Sequence, residues 1–531
     1  LGSSQAGFLV FTTIVGAILR LINLSNKPPW TDEFATLVFS LGNDYSSVPL
    51  NRVMSLETLL GPLQPNLSAK ITDVISLVIH QDNHPPLYFV LAHLWLEIFP
   101  HSDLDGLLWY SRALAVFFGV ISIPTVYLVM RAVWSSSWLA QLGTLLMTFS
   151  PYAIFLSQEA RQYSMAILLV LLSLGCLLQV IKEILTRRNV NWWSVFAWAF
   201  CNIIGLMVHY FFVLTLLAEF LTLLFFSLRH KLPFPAIARL IMVVGITSVF
   251  GLAWLYLVVP SGYGHSMTSW IHRDNSDLFS LFKPLFQILA TWITMLCLLP
   301  VESPNLLIVI ISGLMMGWFL IWSIPPIYLT IKNSLVNNSP FLEVVVIFIL
   351  SVITIFFVLT YVLDIDITRG ARYSFVYFPA VIMLIGIGLR NFKNRDLLVV
   401  FLVGFCSAIT IVFNLGYQKY YRPDLFLPIL KQNSQPNIAR IIASPYKSIV
   451  ETGEMMGIAW VLKKENTLLD SKFLLVNNHE MPENWNSIGS DFDLWLINFK
   501  KKPIISSSCL PDEKQFPSIN GYGFKKYHCK S

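Results

Sequence analysis

The chain has 531 residues, 55% of them hydrophobic and only 12% charged, with a mean hydropathy of +0.65. An average soluble domain carries about 25% charged residues, so one large soluble core is excluded and a polytopic α-helical membrane protein is implied. The formal net charge of +6 comes from cations that punctuate apolar runs, and no soluble segment interleaves bases with aromatics, which excludes nucleic acid as a partner.

The first residue is Leu rather than Met, and residues 1–24 lack a basic n-region and a small-residue cleavage site, so they read as a retained membrane helix instead of a signal peptide. Its apolar part, 6–24 ("AGFLVFTTIVGAILRLINL"), is long enough for a span of about 20 residues. Further spans are expected at 112–133, 138–156, 162–181, 192–208, 210–228, 239–259, 305–329, 342–363, 374–390 and 397–414. Two shorter runs, 85–99 and 284–300, each begin with proline and lie at or below the ~17-residue minimum. The first also carries His93 and Glu97 on one helical face.

Basic residues cluster at Arg131, Lys182/Arg187/Arg188, Arg229/Lys231/Arg239, Lys332 and Arg390/Lys393/Arg395. If both short runs lie in the interface, every cluster falls on one side, which the positive-inside rule makes cytoplasmic. The expectation is therefore about eleven spans, or up to about thirteen if the short runs cross, with the N-terminus inside and the C-terminus outside. A membrane domain of 1–414 then carries an outer loop, 25–111, with juxtamembrane helices, and a soluble domain fills 415–531. In that tail, 438–444, 472–478 and 492–499 read as strands and 448–462 as a helix, which makes a small extracytoplasmic α/β domain. It has no Walker or GxGxxG pattern, and the chain has no internal repeat.

Cys176, Cys201, Cys297 and Cys406 sit in apolar segments as packing residues, whereas Cys509 and Cys529 in the polar tail suit a disulfide in an oxidising compartment.

On this topology the unusual polar residues share the outer face. "TDEF" places Asp32 and Glu33 just after the first span. Thr31 reads as a helix N-cap with two acids in the first turn, and equally the pair reads as a general base held at the membrane surface. "DNHPPLYF" sets His84 ahead of two prolines, either as an incidental part of a helix start or as a contact for an anionic group. "SPYAIFLSQEARQYSM" crosses the surface with almost no polar loop. Glu159 and Arg161 there form an internal pair, or else Arg161 turns its planar fork to a phosphate. "ITRGARYSF" brings Arg369 and Arg372 to the outer mouth of a late helix, to snorkel or to bind phosphate. His209–Tyr210 is a pocket element or a helix break. Asp32, Glu33, His84, His265 and His272 are the residues that would hold a divalent metal, but no spacing such as HxxxH establishes one.

In this order the motifs resemble the GT-C glycosyltransferases, above all the protein O-mannosyltransferases and the bacterial lipid A aminoarabinose transferases. The resemblance is carried by Asp32–Glu33, then His84-Pro85-Pro86-Leu87-Tyr88, then "SQEARQYS", over roughly residues 6 to 260. It implies a polyprenyl-phosphate-linked sugar as donor, a lipid, glycan or protein acceptor, and a bacterial-type plasma membrane. It also implies inverting transfer on the outer face, with Asp32 as base and Glu33 supporting it. His84, Arg161 and Arg369 or Arg372 would neutralise the leaving phosphate, and Tyr88, Glu159, Tyr163, His209, Tyr210 and His265 would line the pocket. The chain departs from the aminoarabinose transferases in "FATLVF", where they carry a basic residue, and in His84, where they carry lysine; neither the sugar nor lipid A as acceptor follows. A transporter or flippase is the rival from another class, although such proteins place polar residues near the bilayer midplane in paired repeats. A non-catalytic assembly subunit is a third reading.

Overall fold

The structure is a computed structural model describing residues 2–100, 103–259, 269–272, 278–435, 438–477, 481, 491–499, 503, 505, 508–514, 516–517 and 519–530. Its elements form two compact groups. One comprises Leu1–Leu24, Asn83–Tyr88 and Arg112–Gln418; the other comprises Ser25–Asp82, Phe89–Ser111 and Lys419–Ser531.

In the first group every segment expected to span is helical. Eight helices among the described residues are long and apolar enough to cross a membrane: Ser3–Leu21, Leu104–Trp134, Tyr163–Arg187, Phe212–His230, Phe234–Val258, Leu306–Val336, Pro340–Val362 and Asn394–Val412. A ninth arises if the bent pair Ser137–Phe149 and Pro151–Ser157 is one span. The other two expected segments form the shorter apolar helices Trp192–Val208 and Phe378–Asn391. The two short runs are helices of 12 and 14 residues, Leu87–Ile98 and Lys283–Leu296. Outward faces are apolar: in Leu306–Val336, Leu314 and Ile321 are 70% and 78% exposed, a surface suited to hydrocarbon rather than water.

The bent pair turns by 54° at Ser150–Pro151. Proline brings no N–H, so the break frees carbonyls of the preceding turn in a place where water is scarce. The chain supplies their partners. Arg20, fully buried in the first span, donates from Nη2 to the Met147 carbonyl at 3.0 Å and from Nη1 to that of Thr148 at 3.3 Å. Ser150 caps the new helix by accepting from the Ala153 N–H at 3.2 Å, and its hydroxyl donates to the Met295 carbonyl at 2.7 Å. In return, Gln158 at the end of the bent helix donates to the carbonyls of Arg20 at 3.3 Å and Ile22 at 3.1 Å, which close the first span. Gly119 makes the approach possible, since a Cβ there would stand 2.1 Å from Ser157 Oγ.

Small residues and one polar cluster fix the other spans. A Cβ on Gly386 would meet the Gly143 nitrogen at 3.3 Å, so these helices cross backbone to backbone. Glu219 ties three helices together: its Oε1 accepts from Ser173 Oγ at 2.5 Å, and its Oε2 from Trp198 Nε1 at 3.1 Å and Asn202 Nδ2 at 3.3 Å.

The second group is built on a five-stranded sheet: β1 Ala439–Tyr446, β2 Lys472–Asn477, β3 Phe492–Ile497, β4 Cys509–Pro511 and β5 Phe524–Cys529, in the order β2-β1-β3-β5-β4. β1 runs parallel to β2 and β3, while β5 is antiparallel to β3 and β4. The first three are the expected strands, and the expected helix is Ile449–Lys464, opened by a Ser448/Glu451 capping box. Cys509 and Cys529 face each other across β4 and β5 and form the expected disulfide.

The segment expected as an outer loop joins this sheet. Met54 and Phe473 exchange two backbone hydrogen bonds of 2.9 Å, and the Asn51 N–H donates to the Leu475 carbonyl at 2.9 Å, which extends the β2 edge. The helix Thr31–Ser40 buries Phe34, Leu37, Val38 and Phe39 in one core with Met455, Trp460, Phe473 and Trp495. Phe34 packs edge-on against Trp460, with ring centroids 5.9 Å apart.

Arg20→Leu should lower the thermal unfolding midpoint of the detergent-solubilised chain, because it strands two buried carbonyls at about 1–3 kcal/mol each. Arg20→Lys, which keeps a donor, should fall between the two; equal midpoints for wild type and Arg20→Leu would show that the break does not need Arg20.

Candidate functional site

In the first group of elements, several of the expected residues converge. The bent helix ends at Ser157, and the chain then makes a tight turn in which the Arg161 N–H donates to the Glu159 carbonyl at 2.7 Å. Gln158, Glu159, Arg161 and Gln162 are all buried there, which no ordinary surface loop requires. Arg161 Nη2 donates to His84 Nε2 at 2.9 Å, and Pro85–Pro86 direct the chain out of that contact into the next helix. Tyr88, one turn later, is buried.

His209 stands in the turn between Trp192–Val208 and Phe212–His230. Its ring centroid lies 5.9 Å from that of His84, 5.5 Å from Tyr163 and 4.8 Å from Phe375. Burial, and then the nearby His84, Arg161 and Arg372, hold this imidazole well below the usual histidine range. Tyr210 beside it is half-buried.

Arg372 completes the group. Its guanidinium lies over Trp270 at 5.3 Å and over Tyr373 at 5.2 Å. The Tyr152 hydroxyl reaches the carbonyls of Ala371 and Arg372, both at 3.0 Å, and so pins the backbone that carries it. Arg369, three residues earlier, is directed elsewhere: Nε pairs with Asp366 at 3.4 Å and Nη1 donates to the Trp270 carbonyl at 2.8 Å. Of the two arginines, then, Arg372 joins His84, Arg161, Tyr163 and His209.

The acid pair is shaped by its own helix. Thr31–Ser40 starts one residue earlier than a Thr31 cap would have it, with Trp30 in the cap position. The reason is Glu33, whose Oε2 accepts from the Trp30 N–H at 3.4 Å, the backward half of a capping box. Glu33 is buried, whereas Asp32 is half-buried in the first turn, where the helix dipole favours a carboxylate. Lys419 Nζ sits 3.9 Å above the Trp30 ring. Behind the pair, Gly453 comes so close that a Cβ would meet Thr31 Cγ2 at 3.0 Å. Its neighbour Glu454 was not singled out from the sequence; burial pushes its carboxyl up to about 7, against the opposing hydrogen bond from Tyr421.

His265 lies outside the described residues, and His272 is exposed, in a bridge with Ile365. Among the described residues no three His, Cys, Asp or Glu side chains are grouped to hold a metal ion.

No family model and no curated protein matches the chain. Solved structures do. ArnT from Cupriavidus metallidurans bound to undecaprenyl phosphate is 12% identical, with 93% of each chain covered and a TM-score of 0.50. The apo state of that protein is 11% identical, with 99% of this chain and 98% of that one covered and a TM-score of 0.52. The oligosaccharyltransferase of Archaeoglobus fulgidus in complex with zinc and sulfate covers 85% of this chain and 61% of its own at 12% identity, with a TM-score of 0.47. The likeness to ArnT is one of fold: a helical membrane architecture with a small sheet-containing C-terminal domain.

Two outcomes follow from the acids. Glu33→Gln keeps an acceptor for the Trp30 N–H and should leave the unfolding midpoint close to wild type, while Glu33→Leu should lose about 1 kcal/mol, read from the same melts. Glu454 binds a proton more tightly folded than unfolded, so between its ordinary 4.5 and about 7 stability should fall as pH rises. Glu454→Gln should flatten that slope in unfolding measured across the window; an unchanged slope assigns it to other groups.

Proposed function

We propose that the chain is an integral-membrane glycosyltransferase that moves a sugar from a polyprenyl-phosphate donor to an acceptor hydroxyl on the extracytoplasmic face, with inversion. The observation that carries this reading is the grouping of the half-buried His84 and Arg372 with the buried Arg161 around His209, in a fold shared with an ArnT that has been seen bound to undecaprenyl phosphate. Two guanidiniums and an imidazole brought together suit a phosphate, and the bilayer would hold the rest of such a donor beside them.

In this reading Asp32 takes the proton of the acceptor hydroxyl, and the oxygen attacks the anomeric carbon from the side opposite the phosphate. The bond from that carbon to the phosphate oxygen breaks, and its electron pair leaves with the phosphate. The cations stabilise the charge that develops, so a general acid is not required. Glu33 acts by holding the start of the helix that carries Asp32. Whether a divalent metal acts beside the acids is read from the effect of a chelator in the assay below. The N-terminus and the basic loops would be cytoplasmic, with the sheet domain outside.

A transporter is less well supported. The carboxylate of Glu219, within the spans, has its oxygens engaged by Ser173, Trp198 and Asn202 across three helices, a structural use of the charge.

The test is a mass-spectrometric transfer assay. Purified chain and Asp32→Asn are offered several polyprenyl-phosphate sugars with membrane extract as acceptor source, with and without a chelator. Loss of one sugar donor, reduced at least about 100-fold in Asp32→Asn, is expected for a general base. Equal consumption by both proteins would remove Asp32 from the mechanism.

A further inference from the structure

His209 is held in one tautomer by its backbone surroundings. Its Nδ1 accepts a hydrogen bond from the Phe211 N–H at 3.1 Å, so the ring proton of the neutral imidazole sits on Nε2. That Nε2 is buried and has no hydrogen-bond partner among the described residues, in a side chain only 4% exposed. A buried donor left unmade is unfavourable by about 1–3 kcal/mol, so its persistence asks for a bound group that accepts from it. Tyr163, Phe375, Phe211 and Tyr373 pack around the ring and fix its plane.

We propose that His209 Nε2–H is a neutral hydrogen-bond donor to the phosphate of the lipid-linked donor, distinct in kind from the cationic contacts. The proposal rests on reading the surrounding cluster as a phosphate site. The groups that face His209 are His84 from the proline segment, Arg161 from the turn after the bent helix, and Arg372 from the late turn. All three oppose a second proton on its ring, so the donor stays uncharged. A neutral donor binds the phosphate oxygen in the ground state and as negative charge grows, without adding another like charge to a cluster that must coexist with Arg161 and Arg372 before the donor arrives.

Two substitutions separate this role from packing. Asparagine can keep the Nδ1-like acceptor for the Phe211 N–H but has nothing at Nε2. Glutamine can present a donor near Nε2 but loses the acceptor. The probe is undecaprenyl phosphate in nanodiscs, titrated against the full-length chain, with the thermal midpoint of each variant measured in parallel. Expected is binding about 10- to 100-fold weaker for His209→Asn at an unchanged midpoint, and binding within about threefold of wild type for His209→Gln at a lower midpoint. If His209→Asn binds like wild type, the proposal falls while the phosphate site stands. If His209→Gln binds as weakly as His209→Asn, the donor is not what matters and the proposal falls as well. Failure of the wild-type chain to bind the probe at all would take down both the phosphate reading and the role of His209.

Discussion

Hydrocarbon offers no water to complete a hydrogen bond, so a spanning helix can be broken only where the chain brings its own partners to the break. The bend at Ser150–Pro151 satisfies that condition through Arg20, and the rest of the first group depends on it. Once the Met147 and Thr148 carbonyls are tied to Arg20, and the end of the first span is tied to Gln158, the residues just after the bend are confined. Arg161 and Gln162 are then buried with little freedom to slide. A buried arginine in the first span thus sets the position of a second one, eleven residues past the break.

How each arginine is supported decides what it can do. Arg369 lies against Asp366, a carboxylate that cancels its charge. Arg372 is held over the faces of Trp270 and Tyr373, and its backbone is anchored by Tyr152. Aromatic faces orient a guanidinium and so help to position this cation. Arg161 is oriented in part by its hydrogen bond to His84. The two acids divide along the same line. Glu33 is spent on the Trp30 N–H and buried, while Asp32 keeps partial exposure in the first helical turn.

Much of this was legible in the sequence because it rests on composition and local order. The eleven apolar segments are all helices, since length and hydropathy determine which segments can lie in hydrocarbon. The three strands and the helix of the tail follow from short-range pattern, and the cysteine pair from its polar setting. What the sequence concealed depends on tertiary pairing. Arg369 and Arg372 differ by three positions, and only the turn at 367–376 sends one to Asp366 and the other to the aromatic rings. The cap at Trp30 instead of Thr31 follows from a buried Glu33, and burial is not readable from "TDEF". Nothing in residues 51–54 announces that they pair with the β2 edge, because backbone ladders carry no residue code. Arg20 looks like any cation near the end of a span; its inward direction depends on a proline far along the chain.

The proposed chemistry places unequal demands on its two halves. In the proposed reaction a side-chain carboxylate would take the acceptor's proton only as the new bond forms, since a carboxylate is too weak a base to generate a free alkoxide ahead of attack. The main driving force must then come from departure of the phosphate, whose growing charge is where two guanidiniums and a neutral imidazole donor have most to gain. In this proposal the orientation of the groups that would meet the phosphate therefore matters most. A site that depended on its leaving group would have to be preorganised around the phosphate, and the struts from Arg20, Gln158 and Tyr152 would serve that end of the proposed reaction.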